Sequence, residues 1–274
     1  MNRRGIILFY LLTYAFAWGL SALFLFFPAW MVAHFGPVTL WNPIIFATIW
    51  TPTIWAFVLA FALDGAAGLR DLVVRVFRWR IKWRWYLVST LGTAALALGA
   101  RSFQAFMHHA PMPPVFDFAS WPALTWYGVK MLVIDPGPIG EDPGWRGYAL
   151  PRMLQRFNPA VASVLLGAVW AVWHLPSFLF SGMPQSTLSL GWFLLAITSL
   201  TVLMSWVAIN TRGAVIPAIL MHWAFNRFAA LEGSAAMFEA ITFAAAVVIV
   251  VAATRGRLGL GREKGNAAEF QTSL

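Results

Sequence analysis

Glu141 and Asp142 stand side by side in the run GPIGEDPGWRGYALPRM, between long apolar stretches of a chain with only 10 acidic residues among 274. A carboxylate at membrane depth costs several kcal/mol unless it is paired, hydrated or used, so each such residue marks a candidate site. Two other polar interruptions share this setting: His174 in AVWAVWHLPSF, and His222 with Asn226 in IPAILMHWAFNRF. A desolvated carboxylate can serve as general base toward water, and a nearby neutral histidine can hold the same water or share its proton. A second histidine and an asparagine amide can donate hydrogen bonds to a developing oxyanion, often worth about 3 kcal/mol per donor. Together these types point to peptide-bond hydrolysis inside a membrane. A second assembly uses the two histidines and a carboxylate to hold Zn²⁺, which takes three protein ligands and an open position. The chain has no HExxH, so a zinc site would rest on tertiary convergence alone. Asp142 and Arg146 have the spacing of a helical ion pair and are assigned a supporting role, with Arg146 compensating the second acid and orienting the first.

These residues need three helices to bring them together. Glu141 and His174 each lie about 16 residues from the turn at Phe157-Asn158-Pro159, so antiparallel helices would place both at a similar depth, about 22–25 Å along the axis. His222 and Asn226 share one helical face, with Asn226 about 21 Å from the basic end near Arg212. Asp135-Pro136-Gly137-Pro138 must bend or interrupt a helix just before Glu141, and irregular backbone at that depth is tolerated only against protein or a wet cavity. Taken singly, these groups also suit structural work: an interhelical network, a helix-end cap at His174, polar glue at His222 and Asn226. Matched depth beside a broken helix favours one shared site. Asp135 reads as a helix-end cap able to contact substrate; His34, His108 and His109 receive no role.

Composition sets the surroundings. Hydrophobic residues make up 60% of the chain and charged ones 11%, against about 25% charged in an ordinary soluble domain. The pattern predicts an all-α polytopic integral membrane protein with about eight transmembrane helices around a polar cavity. The spans expected are about 5–27, 42–63, 84–106, 121–135 continuing through the break to 156, 159–180, 188–209, 213–231 and 235–253. Residues 1–253 form a single transmembrane domain whose core is 120–230, and 254–274 read as a polar, disordered cytoplasmic tail. The basic start is followed by an apolar run too long for a signal peptide, so the first span is retained. With an even number of spans, 15 of the 19 Lys and Arg residues fall on one side, which places both termini in the cytoplasm of a cell inner or plasma membrane. The basic, Trp-rich stretch 64–83 reads as an interfacial helix or loop on anionic headgroups, making membrane lipids the first partner. The net charge of +9 is spread through short connecting segments, with no basic stripe of interleaved aromatics, and nucleic acid is excluded as a partner. Without cysteine there is no disulfide, thiolate zinc site or thiol nucleophile.

Read in order, Glu-Asp-Pro-Gly-Trp-Arg (141–146) resembles the EExxxR motif of the CPBP intramembrane proteases, the Abi or CAAX-prenyl-protease type 2 family. Trp170-Ala-Val-Trp-His174 resembles that family's FxxxH motif, and His222-Trp-Ala-Phe-Asn226 its HxxxN motif. The resemblance covers about residues 120–230. It implies eight helices around a conical cavity, water activation by Glu141 and His174, and an oxyanion site at His222 and Asn226. It leaves the cofactor open between zinc and none, with the metal-free version preferred, and implies a membrane-associated or lipidated peptide or protein as substrate. Two positions depart from the pattern: Asp142 replaces the second Glu, and Trp170 replaces Phe. A non-catalytic immunity or scaffold protein of the same fold, or a transporter, would also suit an eight-span chain. The spans show no obvious inverted repeat to favour a transporter.

Overall fold

Apolar segments of this length can satisfy their backbone groups in lipid only as helices. The computed structural model describes residues 3–111, 125 and 135–259 as helices joined by turns, with no strand among the described residues. Helix α1 (Arg3–Phe26) and the short α2 (Pro28–Phe35) precede α3 (Pro43–Val76). Then come α4 (Trp83–Leu87), a π-helical stretch over Val88–Gly92, and α5 (Thr93–Met107). Helix α6 (Pro136–Asp142) runs through a π-helical segment, Pro143–Ala149, into α7 (Leu150–Met153). Helix α8 (Pro159–Trp173) ends in two 3-10 turns, Leu175–Leu179 and Pro184–Thr187. Helices α9 (Leu190–Asn210), α10 (Ile216–Phe228) and α11 (Ala235–Ala253) complete the order.

Among the described residues, five helices are long and apolar enough to cross a membrane: α1, α3, α8 with its first 3-10 turn, α9 and α11. The expected count of eight is therefore met only in part. Residues 121–134 of the expected fourth span, apart from Thr125, lie outside the described residues. Helix α10 has 13 residues, about 20 Å of rise, too short to cross alone. Helix α3 runs past its expected end near 63 because Gly65 adopts φ 67° and ψ −161°, a backbone region open to glycine, so the helix kinks and resumes. Its last turns occupy the start of the stretch read as interfacial and bury Leu72 and Arg75.

Helix α9 is the centre, packed against α8, α10 and α11. Helices α1 and α11 turn Ile7, Leu11, Phe26, Val248 and Ile249 outward. Such apolar exposure on several helices suits lipid rather than water, and the chain is an integral membrane protein. At the far end, Asn210 Nδ2 donates to the carbonyl of Leu258 at 2.8 Å, and Leu258 is fully buried. The chain after 253 thus begins as a docked turn, and 260–274 of the expected tail lie outside the described residues.

Candidate functional site

Pro143 governs the local path of the acidic segment. It has no N–H, and its ring crowds the carbonyl of Ile139, four residues back. That carbonyl is taken instead by Thr53 Oγ1 of α3 at 3.3 Å, and the chain continues as a π-helix over Pro143–Ala149. Single π-helical stretches of this kind recur at functional sites. Helix α3 solves its own proline the same way: Pro52 orphans the carbonyl of Thr48, which accepts from Thr51 Oγ1 at 2.8 Å. The two helices approach closely where the acidic one carries glycine. A Cβ on Gly144 would lie 2.5 Å from the backbone of Pro52, and one on Gly140 would lie 3.2 Å from the carbonyl of Ile49.

Pro176 has no N–H for the carbonyl of Val172, four residues back, so α8 ends at Trp173 and the chain tightens into the 3-10 turn Leu175–Leu179. The backbone N–H of His174 then bonds Ala171, and the His174 ring takes over at the carbonyl of Trp170, with Nδ1 at 2.8 Å. A carbonyl only accepts, so Nδ1 carries the proton and Nε2 presents its lone pair in the neutral ring. Nε2 faces Glu141 Oε2 across 3.8 Å, too far for a direct hydrogen bond. Helix α1 braces this end: Trp18 Nε1 donates to the carbonyl of Trp173 at 3.1 Å, and the Tyr14 hydroxyl donates to that of Val169.

Arg146 donates through Nη1 to Asp142 Oδ1 at 2.7 Å and through Nη2 to Thr201 Oγ1 at 3.1 Å. The other oxygen of Asp142 lies 3.3 Å from His222 Nδ1. The ionised carboxylate accepts there too, so Nδ1 of His222 is protonated, and Nε2 is a further donor only in the imidazolium. The supporting acid therefore serves His222 as well as Arg146, a link that the spacing of 142 and 146 does not contain. Asn226 Nδ2 lies 3.4 Å from Asp135 Oδ2, while Asp135 Oδ1 caps α6 by accepting from Gly137 N at 3.1 Å. The cap read at Asp135 is present.

Glu141, His174, His222 and Asn226 line one cavity of about 350 Å³; Asp142 and Arg146 stand behind its wall. The cavity extends past Trp18 and Trp41 toward a small apolar cluster that includes Phe24, Met31, Ile45 and Phe180. A methyl on Gly137 would lie 3.4 Å from Glu141 Oε1 and 3.7 Å from Asn226 Nδ2, so the bare glycine leaves open the space between acid and amide. Among the described residues no three His, Asp or Glu side chains gather as a ligand set, and Nδ1 of each histidine is held by an oxygen acceptor, which leaves Nε2 as its other ring nitrogen. Sequence reasoning missed Thr201 and the link from Asp135 to Asn226. It also treated Trp170 as a variant aromatic, although its indole N–H donates to Glu141 Oε2 at 2.6 Å. The available signal was the change from Phe to Trp, which adds a donor.

Residues 121–228, which contain all six candidate residues, match the family model described as type II CAAX prenyl endopeptidase Rce1-like. A stretch of 92 residues is 32% identical to CAAX prenyl protease 2 of Methanococcus maripaludis, covering 31% of this chain and 34% of that protein. The chain thus spans about a third of the length of the curated relative it matches. Both comparisons support the same family for the segment that carries the site.

Proposed function

We propose that this Rce1-like chain is an intramembrane endopeptidase that hydrolyses a peptide bond of a membrane-associated or lipidated substrate. The observation that carries the reading is the facing pair of acceptors, Glu141 Oε2 and His174 Nε2, 3.8 Å apart in a buried cavity. Two acceptors at that separation are complementary to one water molecule, which donates a proton to each. Glu141 then takes a proton from this water as its oxygen bonds the scissile carbonyl carbon, and the π pair of the C=O moves onto oxygen. His222, as the imidazolium whose Nδ1–H Asp142 accepts, donates through Nε2 to that oxyanion together with Asn226, and Arg146 holds Asp142 in place. Collapse re-forms the carbonyl and breaks the C–N bond, and Glu141 returns its proton to the leaving amine.

No catalytic metal is needed for these steps. The curated relative is named as a CAAX prenyl protease, which supports a lipidated peptide here, and the apolar arm of the cavity supports the same choice. Both termini are assigned to the cytoplasmic side of an inner or plasma membrane, with lipids and a membrane-borne peptide as partners and no role for nucleic acid. The test uses purified protein in lipid vesicles with a fluorogenic farnesylated peptide. Glu141→Gln and His174→Ala should each lower kcat by about 10²–10⁴-fold with folding retained. Turnover at the wild-type level in both variants would leave a non-catalytic protein of the same fold.

A further inference from the structure

Trp170 touches Glu141, Arg146, His174 and His222, yet the mechanism above gives it no task. It is fully buried on α8. Its indole N–H bonds Glu141 Oε2 at 2.6 Å, and the Arg146 guanidinium lies 4.1 Å over its ring. The rings of His174 and His222 meet it edge-on at 5.4 and 5.0 Å. Its carbonyl fixes the His174 tautomer. From these contacts the geometry points to Trp170 as the positioning residue of the base: its N–H pins Glu141 Oε2, the oxygen that faces His174 Nε2 across 3.8 Å, and so holds the proton acceptor at the water position.

The physical case rests on how few ways a buried carboxylate has of staying put. Rotation about the last bond of a glutamate is broad and nearly two-fold, so packing alone does not distinguish its oxygens. One short hydrogen bond to a charged acceptor does, and in this surrounding it is among the stronger kinds. Oε2 is then held toward His174, while Oε1 turns to the space beside Gly137, where a methyl would touch it at 3.4 Å. A carboxylate oxygen accepts more than one hydrogen bond, so Oε2 can hold the indole N–H and still accept from the water. A phenylalanine at 170 would keep the ring but lose this selection. The carbonyl of Trp170 belongs to the backbone, so a side-chain change leaves the His174 tautomer alone and isolates the indole.

This inference deepens the endopeptidase reading and rests on it for its kinetic arm. The decisive variant is Trp170→3-benzothienylalanine, introduced at that single position, which keeps the bicyclic shape and replaces N–H with sulfur. With the farnesylated peptide in vesicles, kcat should fall roughly tenfold with KM unchanged. Trp170→Phe should lower it at least as much. Turnover of the isostere within twofold of wild type would reduce Trp170 to packing and overturn the inference, whatever Phe does. A second arm needs no substrate. The isostere should lower the melting temperature by several degrees in the wild-type background and by less than one degree with Glu141→Ala. Equal shifts in the two backgrounds would overturn the bond itself. Wild-type protein inert to the peptide would sink the endopeptidase reading instead, and the melting cycle would still decide whether Trp170 holds Glu141.

Discussion

Asp142 has both oxygens committed, one to Arg146 at 2.7 Å and one to His222 at 3.3 Å, and neither acid nor base of the ion pair is exposed. Replacing it with alanine leaves a buried guanidinium without its counter-charge, a change that typically costs about 3–5 kcal/mol. Asp142→Ala should therefore appear first as lost thermal stability in detergent, before any assay of turnover. Glu141→Gln should not, because Trp170 can still donate to an amide oxygen. The two adjacent acids thus separate by stability and by rate. At this scale the sequence was readable wherever partners sit on one helix: the spacing of Asp142 and Arg146 foretold their ion pair. It was silent where partners come from different helices. Thr201 reaches Arg146 from α9, and Asp135 reaches Asn226 across the start of α6, and no local pattern encodes either meeting. His174 lies between these cases, since equal distances from one turn indicated its depth but not the 3.8 Å gap to Glu141.

For the acidic helix, the contact with α3 decides where the site lies. Gly144→Ala would drive a methyl to 2.5 Å from the Pro52 backbone, which cannot move aside like the end of a flexible side chain. We expect it to cost about 1–3 kcal/mol and to lower activity together with stability, measured as yield of folded protein and melting temperature. Thr53→Val should cost about 1 kcal/mol by leaving the Ile139 carbonyl without its donor. Helix ends were legible from their chemistry. Asn42 accepts from Ile44 N at 3.0 Å before Pro43, and Asn158 from Val161 N at 2.9 Å before Pro159. The π-helical segment was not. Pro143 announces a lost hydrogen bond, but whether the chain breaks or widens depends on Thr53, a residue on another helix far away in sequence. Helix α3 likewise outran its hydrophobic stretch, because hydropathy marks the part that lies in lipid and not where helical backbone stops.

Across the whole molecule, the basic residues give a testable orientation. The chain has no cysteine, so single substitutions label cleanly without a prior knock-out. A cysteine at Arg80 should react with an impermeant maleimide only from the cytoplasmic face, and one at Pro37, between α2 and α3, only from the other. Labelling of both from one face would overturn the assigned topology. The all-helical membrane class was plain from composition, while the number of crossings was not, since α10 carries two site residues yet is too short to span. Bilayers differ in thickness and bend the tilt of what they hold. A helix seated on its neighbour through side chains can slide and re-pack when that happens. The acidic segment rests on the α3 backbone at Gly144, so there it has no cushion to compress. When α3 tilts, Glu141 travels with it as cargo, and the reach of the acid is set by the peptide chain and not by the lipid.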